Sequence, residues 1–337
     1  MTPLTKVIKN KDRSIKPLWL MRQAGRHLPE FRTIRKKNTN FIKLCLDSNK
    51  VKNITLQPIK RYNLDAAIIF SDILVVPFGL GQTVEFKKNF GPFLGPITPD
   101  EIKICNRKTF RKKLEPIYNS IYEVKKDKIL KNKDLIGFVG GPWTILVYML
   151  NRSSPKRKLN KIFSDKSLIK DLLKYINKYL IFHVQDQIKS GANIIQIFDS
   201  WAGLVGKRNL NEYIYEPTKK LVKFTKSLNV PCICFPRNIQ NYANYTNVVK
   251  PDAINIDYNV NPKDIIKNIS IPIQGGMDPK ILLTGKKNLE KITNYYLSVF
   301  ENHPYIFNLG HGVLPQTDPN MIQYLIKIVR KFNERSS

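Results

Sequence analysis

Eight short apolar runs, spread along the chain and mostly followed by a helical pattern, constrain this sequence more than any other feature. They fall at 18–21, 66–70, 135–139, 193–198, 232–235, 253–256, 271–274 and 305–308. Several are near-continuous in Ile, Val, Phe and Leu, as parallel strands buried on both faces are. Between the runs the apolar residues change to helical spacing. Residues 167–189 carry Leu168, Ile169, Leu172, Leu173, Ile176 and Leu180, with Gly191 past the end, and 289–300 and 321–332 repeat the pattern. Pro262, Pro315 and Pro319 fall near helix starts. Strands alternating with helices in this number predict an α/β chain folded as a (β/α)8 TIM-type barrel, with a doubly wound sheet as the alternative. No linker or composition break divides residues 1–337, so a single domain is expected. The longest stretch with little periodicity, about 75–98, follows the second run. Its glycines suit a folded-over loop or small hairpin above the barrel mouth. Gly79-Leu80-Gly81 lacks the third glycine and the following helix of a dinucleotide-binding turn.

The charge is unusual. Lys and Arg number 57 against 26 Asp and Glu, a net of +31, so a polyanionic partner has to be weighed. The basic residues are mostly Lys, scattered among Asn and Ile, which reads as compositional drift rather than a nucleic-acid surface; no RNP or helix-turn-helix signature accompanies them. Cys45, Cys105, Cys232 and Cys234 make no disulfide framework, and Cys232-Ile-Cys234 sits in an apolar run that suits buried thiols. The N-terminus has no apolar core of a signal peptide, and no uncharged apolar run approaches membrane-span length. A soluble, cytoplasmic protein without membrane or specific nucleic-acid partners is expected.

In such barrels the active site lies at the C-terminal strand ends. The residues found there are Arg22 and Arg26, Ser71-Asp72, a Gly140-Gly141-Pro142-Trp143 turn followed by Tyr148, Asp199-Ser200-Trp201, Pro236-Arg237, Asp257-Tyr258, 275–278 and Gly310-His311-Gly312. The arginines suit bidentate carboxylate or phosphate recognition. Asp72 reads equally as a helix cap or a catalytic carboxylate, Ser200 as a cap or a ligand contact, and Tyr148 as core or site. His311, between two glycines, reads as a ligand contact. No His/Cys/carboxylate spacing makes a metal site, and no G-x-S-x-G elbow is present. These residues suit an organic polyanion and proton-transfer chemistry.

The stretch PLWLMRQAGRHLPEFR at 17–32 resembles the N-terminal signature of the uroporphyrinogen decarboxylases. The likeness continues through FSDILVVP at 70–77, GGPWTILVYML at 140–150, FDSWAG at 198–203, FPRN at 235–238, QGGMDP at 274–279 and NLGHGVLPQT at 308–317. It implies a (β/α)8 barrel, a homodimer and no metal or organic cofactor. It also implies a reaction, removal of the carboxyl groups of the four acetates of uroporphyrinogen III to leave the methyls of coproporphyrinogen III. By the same resemblance Asp72 meets the pyrrole N–H groups and stabilises a cationic intermediate. Arg22 and Arg26 hold substrate carboxylates, one of them being a candidate proton donor. Tyr148, Ser200 and His311 contact substrate side chains, and Gln23, Phe31 and Phe198 line the cleft. The sequence departs from the family pattern at His27 (usually Tyr), Asn238 (usually Gly), Gly276 (usually Asn) and in Ile256-Asp257-Tyr258 (usually Leu-Asp-Trp). A cobalamin-dependent methyltransferase of the same superfamily would bind zinc through a His-x-Cys pair and a distant Cys, and the 231–234 segment offers no such His.

Overall fold

Seven of the eight apolar runs become strands of one parallel sheet in the computed structural model, which describes residues 1–87, 90–155 and 159–335. The strands are β1 (Ala66–Ile68), β4 (Asp134–Gly140), β5 (Ile194–Asp199), β6 (Cys232–Pro236), β7 (Ala253–Ile256), β8 (Ile273–Gly275) and β9 (Tyr305–Ile306). Their order is β1-β4-β5-β6-β7-β8-β9, every pairing parallel, with helices on the crossovers. A separate antiparallel pair, β2 (Val84–Lys87) and β3 (Gly91–Leu94), occupies the 75–98 region after a short helix, Val75–Gly79.

The closed eight-stranded barrel expected from the sequence is not what forms. The sheet is open and curled, with β1 and β9 as its edges, because the 18–21 run contributes a single parallel bridge, Leu18 to Phe307, and no strand. Side chains take the backbone donors that a ladder would need. The Leu18 N–H donates to Asp65 Oδ2 (2.7 Å), Leu20 N–H to Gln23 Oε1 (3.1 Å) and Met21 N–H to Asn308 Oδ1 (2.9 Å). A backbone satisfied in this way has no need of a strand partner on each side. The segment still lies between the sheet edges, with Phe307 N–H donating to the Pro17 carbonyl (2.8 Å) and Asp65 N–H to the Leu18 carbonyl (3.0 Å).

Helix Lys166–Lys189 shows how the outer layer is held. Leu172, Ile176, Leu180 and Val184, four residues apart, are all buried toward the core. Inside the curl a second apolar cluster joins Trp19, Ile136, Ile194, Ile233 and Ile306 to Leu4, Val7 and Ile8 of helix Pro3–Asn10. That helix covers the N-terminal end of the curl. The C-terminal strand ends are left as the open side.

Candidate active site

A cleft of about 1150 Å³ occupies that open side. Each wall begins where a strand or strand-like segment stops. After Met21 the chain takes the left-handed conformation at Arg22 (φ 62°), unusual for a residue with a side chain, and the guanidinium is delivered into the cleft. Room for it is made at the other end of the sequence. A Cβ on Gly312 would lie 2.3 Å from Arg22 Cδ, so any other residue there forces the Arg22 side chain to move. The Val313 N–H donates to the Met21 carbonyl (2.9 Å) and fastens the two segments together.

Asp72 follows β1 and lies on the same cleft wall. Its Oδ1 accepts from the Leu74 N–H (2.9 Å), a local turn bond rather than a helix cap, since Leu74 itself precedes the helix Val75–Gly79, and no protein donor among the described residues reaches Oδ2. Desolvation raises the carboxyl to about 6, against the opposing pull of the Leu74 N–H and the Arg22 charge. His311 accepts from the Gly312 N–H at Nδ1 (2.8 Å), which places the proton of the neutral ring on Nε2. Burial, with Arg22 and Arg237 nearby, lowers it to about 3, so it is a neutral donor at physiological pH. Burial also raises the Tyr148 phenol, keeping it protonated; its ring meets Trp201 edge-on at 6.0 Å.

Arg26, Phe31, Phe198 and Ser200 also line the cleft. Ser200 caps no helix, since Trp201 precedes the 3-10 turn Ala202–Leu204. Gln23 does not line it. Its amide is buried, accepting from Leu20 N–H and donating to the Ala66 carbonyl (3.0 Å), and so ties the arginine turn to β1. Two aromatic walls complete the cleft: Phe31, Phe41, Phe70 and Phe86 in successive contacts of 4.7–5.8 Å, and Phe138, Phe198 and Phe235. Of these, Phe86 belongs to β2, so the 75–98 segment overhangs the site.

The sequence reading placed Arg237 among the strand-end residues without giving it a role and did not place Arg35 or Lys87 there, although all three line the cleft. Arg35 was readable in principle, one helical turn beyond Phe31 on Pro29–Lys37, and Arg237 stands directly at a strand end. Among the described residues the lining therefore holds five cationic Lys and Arg side chains and a single carboxylate, Asp72. Among the described residues no three His, Cys, Asp or Glu side chains group as metal ligands, and Cys232 and Cys234 are buried in β6. A second hollow of about 390 Å³ lies beside His303, whose Nε2 is already engaged with the Ile271 carbonyl (3.0 Å).

The family model for uroporphyrinogen decarboxylase (URO-D) matches residues 1–332. This chain belongs to the uroporphyrinogen decarboxylase family. The uroporphyrinogen decarboxylase of Rickettsia bellii is 42% identical, over 98% of this chain and 99% of the relative. That of Orientia tsutsugamushi is 38% identical, over 99% of each. Among solved structures, a methyltransferase from Methanosarcina mazei superposes with a TM-score of 0.71 over 89% of this chain and 90% of its own, at 13% identity, a likeness of fold alone. Against the uroporphyrinogen decarboxylase pattern the departures are accommodated locally. Asn238 takes φ 60°, and Asn is the side chain that best tolerates the left-handed region usually given to Gly. His27 is buried and stacked on Tyr62 at 6.3 Å, with neither ring nitrogen hydrogen-bonded.

Proposed function

We propose that this protein decarboxylates uroporphyrinogen III, converting its four acetate side chains to methyls and releasing coproporphyrinogen III and one CO2 for each. The observation that carries this reading is Asp72, the one carboxylate among the described lining residues, set among Arg22, Arg26, Arg35, Lys87 and Arg237 and flanked by aromatic walls. Such a lining suits a macrocycle that is apolar across its rings, bears N–H donors at its centre and carries carboxylates around its rim.

The chemistry supplies its own electron sink. Protonation of a pyrrole carbon beside an acetate makes the ring an iminium-like cation. The bond between the acetate methylene and its carboxylate then breaks, its electron pair flows into the ring and CO2 departs. The exocyclic methylene is protonated to a methyl, and the ring carbon gives back the first proton, so each turn consumes one proton per CO2. Asp72, ionised, accepts hydrogen bonds from the pyrrole N–H groups and stabilises the cation, an electrostatic contribution strengthened by its desolvated setting. Arg22 and Arg26 bind rim carboxylates, and one of them, or a water that it polarises, provides the proton. His311 donates from Nε2, and Tyr148 and Ser200 offer hydroxyls to the side chains, while Phe31 and Phe198 pack against the rings.

The protein acts as a cytoplasmic homodimer of single-domain subunits, a reading supported by the family likeness; no helix among the described residues is long and apolar enough to cross a membrane. The test is anaerobic incubation with uroporphyrinogen III, followed by oxidation and chromatography of the porphyrins by carboxyl number. Wild type yields a ladder of seven-, six-, five- and four-carboxyl species, and Asp72→Asn does not. A folded wild type without the ladder would end this reading.

A further inference from the structure

Arg237 is the first residue beyond β6, and its backbone is pinned on both sides. Its N–H donates to the Asp199 carbonyl (3.1 Å), and its own carbonyl accepts from the Gly203 N–H (3.1 Å). Asp257, the first residue beyond β7, is 1% exposed, and its Oδ2 accepts from Arg237 Nε at 3.3 Å. The contact is side-on. Both terminal nitrogens of Arg237 are left without a protein acceptor among the described residues, and Asp257 Oδ1 is left without a donor.

Arg111 meets Asp186 side-on as well, through Nε at 3.6 Å and with the arginine exposed, but the two closest arginine–carboxylate pairs here are built differently. Arg330 grips Asp65 through two terminal nitrogens (2.8 and 2.9 Å), and Arg61 grips Glu30 through Nε and Nη2 (2.8 and 2.9 Å). A pair serving only stability gains most from such two-point contact. Arg35, also in the cleft, has its Nη1 engaged with the carbonyls of Asn38 and Thr39. Arg237 instead is held by one nitrogen, with its fork left for something in the cleft that it lines. Arg237 also weighs on His311, the neutral donor next to it, in company with Arg22.

We propose that Arg237, oriented by Asp257, is a specificity-determining subsite that binds one rim carboxylate of the polycarboxylic macrocycle, with Asp257 as its positioning residue. This rests on the reading above for the identity of the macrocycle. The carboxylate belongs either to an acetate, lost in the reaction, or to a propionate, retained in the product.

The test is equilibrium titration of the full chain, by quenching of its tryptophan fluorescence, with uroporphyrin III and coproporphyrin III, stable oxidised counterparts of substrate and product. Arg237→Gln weakens uroporphyrin binding about tenfold or more, the usual scale for a hydrogen-bonded charge. Arg237→Lys recovers part of the loss, since an ammonium cannot reproduce the fork. Asp257→Asn gives a smaller loss, and the Arg237→Gln/Asp257→Asn double variant binds no worse than Arg237→Gln alone, because Asp257 acts only through Arg237. The double variant also avoids stranding a buried carboxylate, so it reports even where the single variant misfolds. Equal weakening toward both porphyrins assigns the propionate, and weakening toward uroporphyrin alone assigns the acetate. Turnover follows binding, with KM raised and kcat little changed. Wild-type affinity in the double variant overturns the subsite, as does a wild type that fails to bind uroporphyrin. A wild type that binds uroporphyrin with Arg237-dependent affinity, yet yields no decarboxylated products, supports the subsite and overturns the decarboxylase reading instead.

Discussion

Asp72 works against its own surroundings. Burial favours its neutral form, holding the carboxyl near 6, whereas stabilising a cationic ring requires the anion. Two outcomes follow from one shift. As pH falls through about 6, kcat/KM falls with the loss of the carboxylate; Asp72→Asn removes that dependence along with roughly 10²-fold or more of kcat. For stability the sign is opposite. The native state keeps its proton to a higher pH than the unfolded chain, so this residue's contribution improves as pH drops from 6 toward 3.8 and is least favourable at neutral pH. Asp72→Asn therefore melts higher than wild type at pH 7.5, by roughly 2 °C or more, and the gap narrows to about half by pH 5. A variant that melts lower at both pH values would refute this. Gly312→Ala is a second probe at this scale, because its methyl displaces Arg22. It lowers kcat/KM about 100-fold with little change in melting temperature. Asp72, Arg22 and His311 were legible in sequence as polar residues ending apolar runs. Gln23, placed at the cleft by the resemblance alone, instead has its buried amide engaged by the Leu20 N–H and the Ala66 carbonyl, partners that no residue pattern records.

At the level of elements, the N-terminal helix Pro3–Asn10 depends on a single carboxylate. Asp134, fully buried at the start of β4, accepts from Thr2 Oγ1, Leu4 N–H, Thr5 N–H, Thr5 Oγ1 and Asn193 Nδ2, at 2.6–3.4 Å. Asp134→Ala leaves these donors unpaired and frees the helix that covers one end of the sheet. Denaturant unfolding should show a loss on the order of 3 kcal/mol, whereas decarboxylation by the folded fraction persists because the helix lies away from the cleft. The alternation of runs and helical stretches located seven strands and the helices between them. It could not foretell the fate of the 18–21 run, which is as apolar as a strand but has its donors claimed by Asp65, Gln23 and Asn308, residues up to 287 positions away in sequence. The β2–β3 pair was readable from its glycines as a folded-over loop or small hairpin, and its strands were not located because their residues lack the alternation that marks a strand.

For the molecule as a whole, the four histidines act in one direction. His27 is lowered to about 4 and His183 and His311 to about 3, while His303 is also lowered, in every case chiefly by burial. Below about pH 6.5 the unfolded chain binds protons at these sites that the native state does not, so stability falls as pH falls, by about 1.4 kcal/mol per pH unit for each of His27, His183 and His311. Urea midpoints measured from pH 7 to pH 5 should decline, and His27→Phe should make the decline shallower. An unchanged slope in that variant would remove His27 from the account. The cleft's five cations likewise predict that kcat/KM for the polyanionic substrate drops as ionic strength rises from 50 to about 500 mM, as electrostatic steering is screened.

The fastening of Met21 and Arg22 to Gly312 and Val313 also sets a clock on synthesis. At about 5–20 residues per second, ribosomes need tens of seconds to pass from the first of these segments to the second. Throughout that interval the nascent chain carries its signature arginine with no mould to shape it. Competence to bind substrate therefore arrives abruptly, with the final portion of the polypeptide, and truncated products are inert rather than partly active.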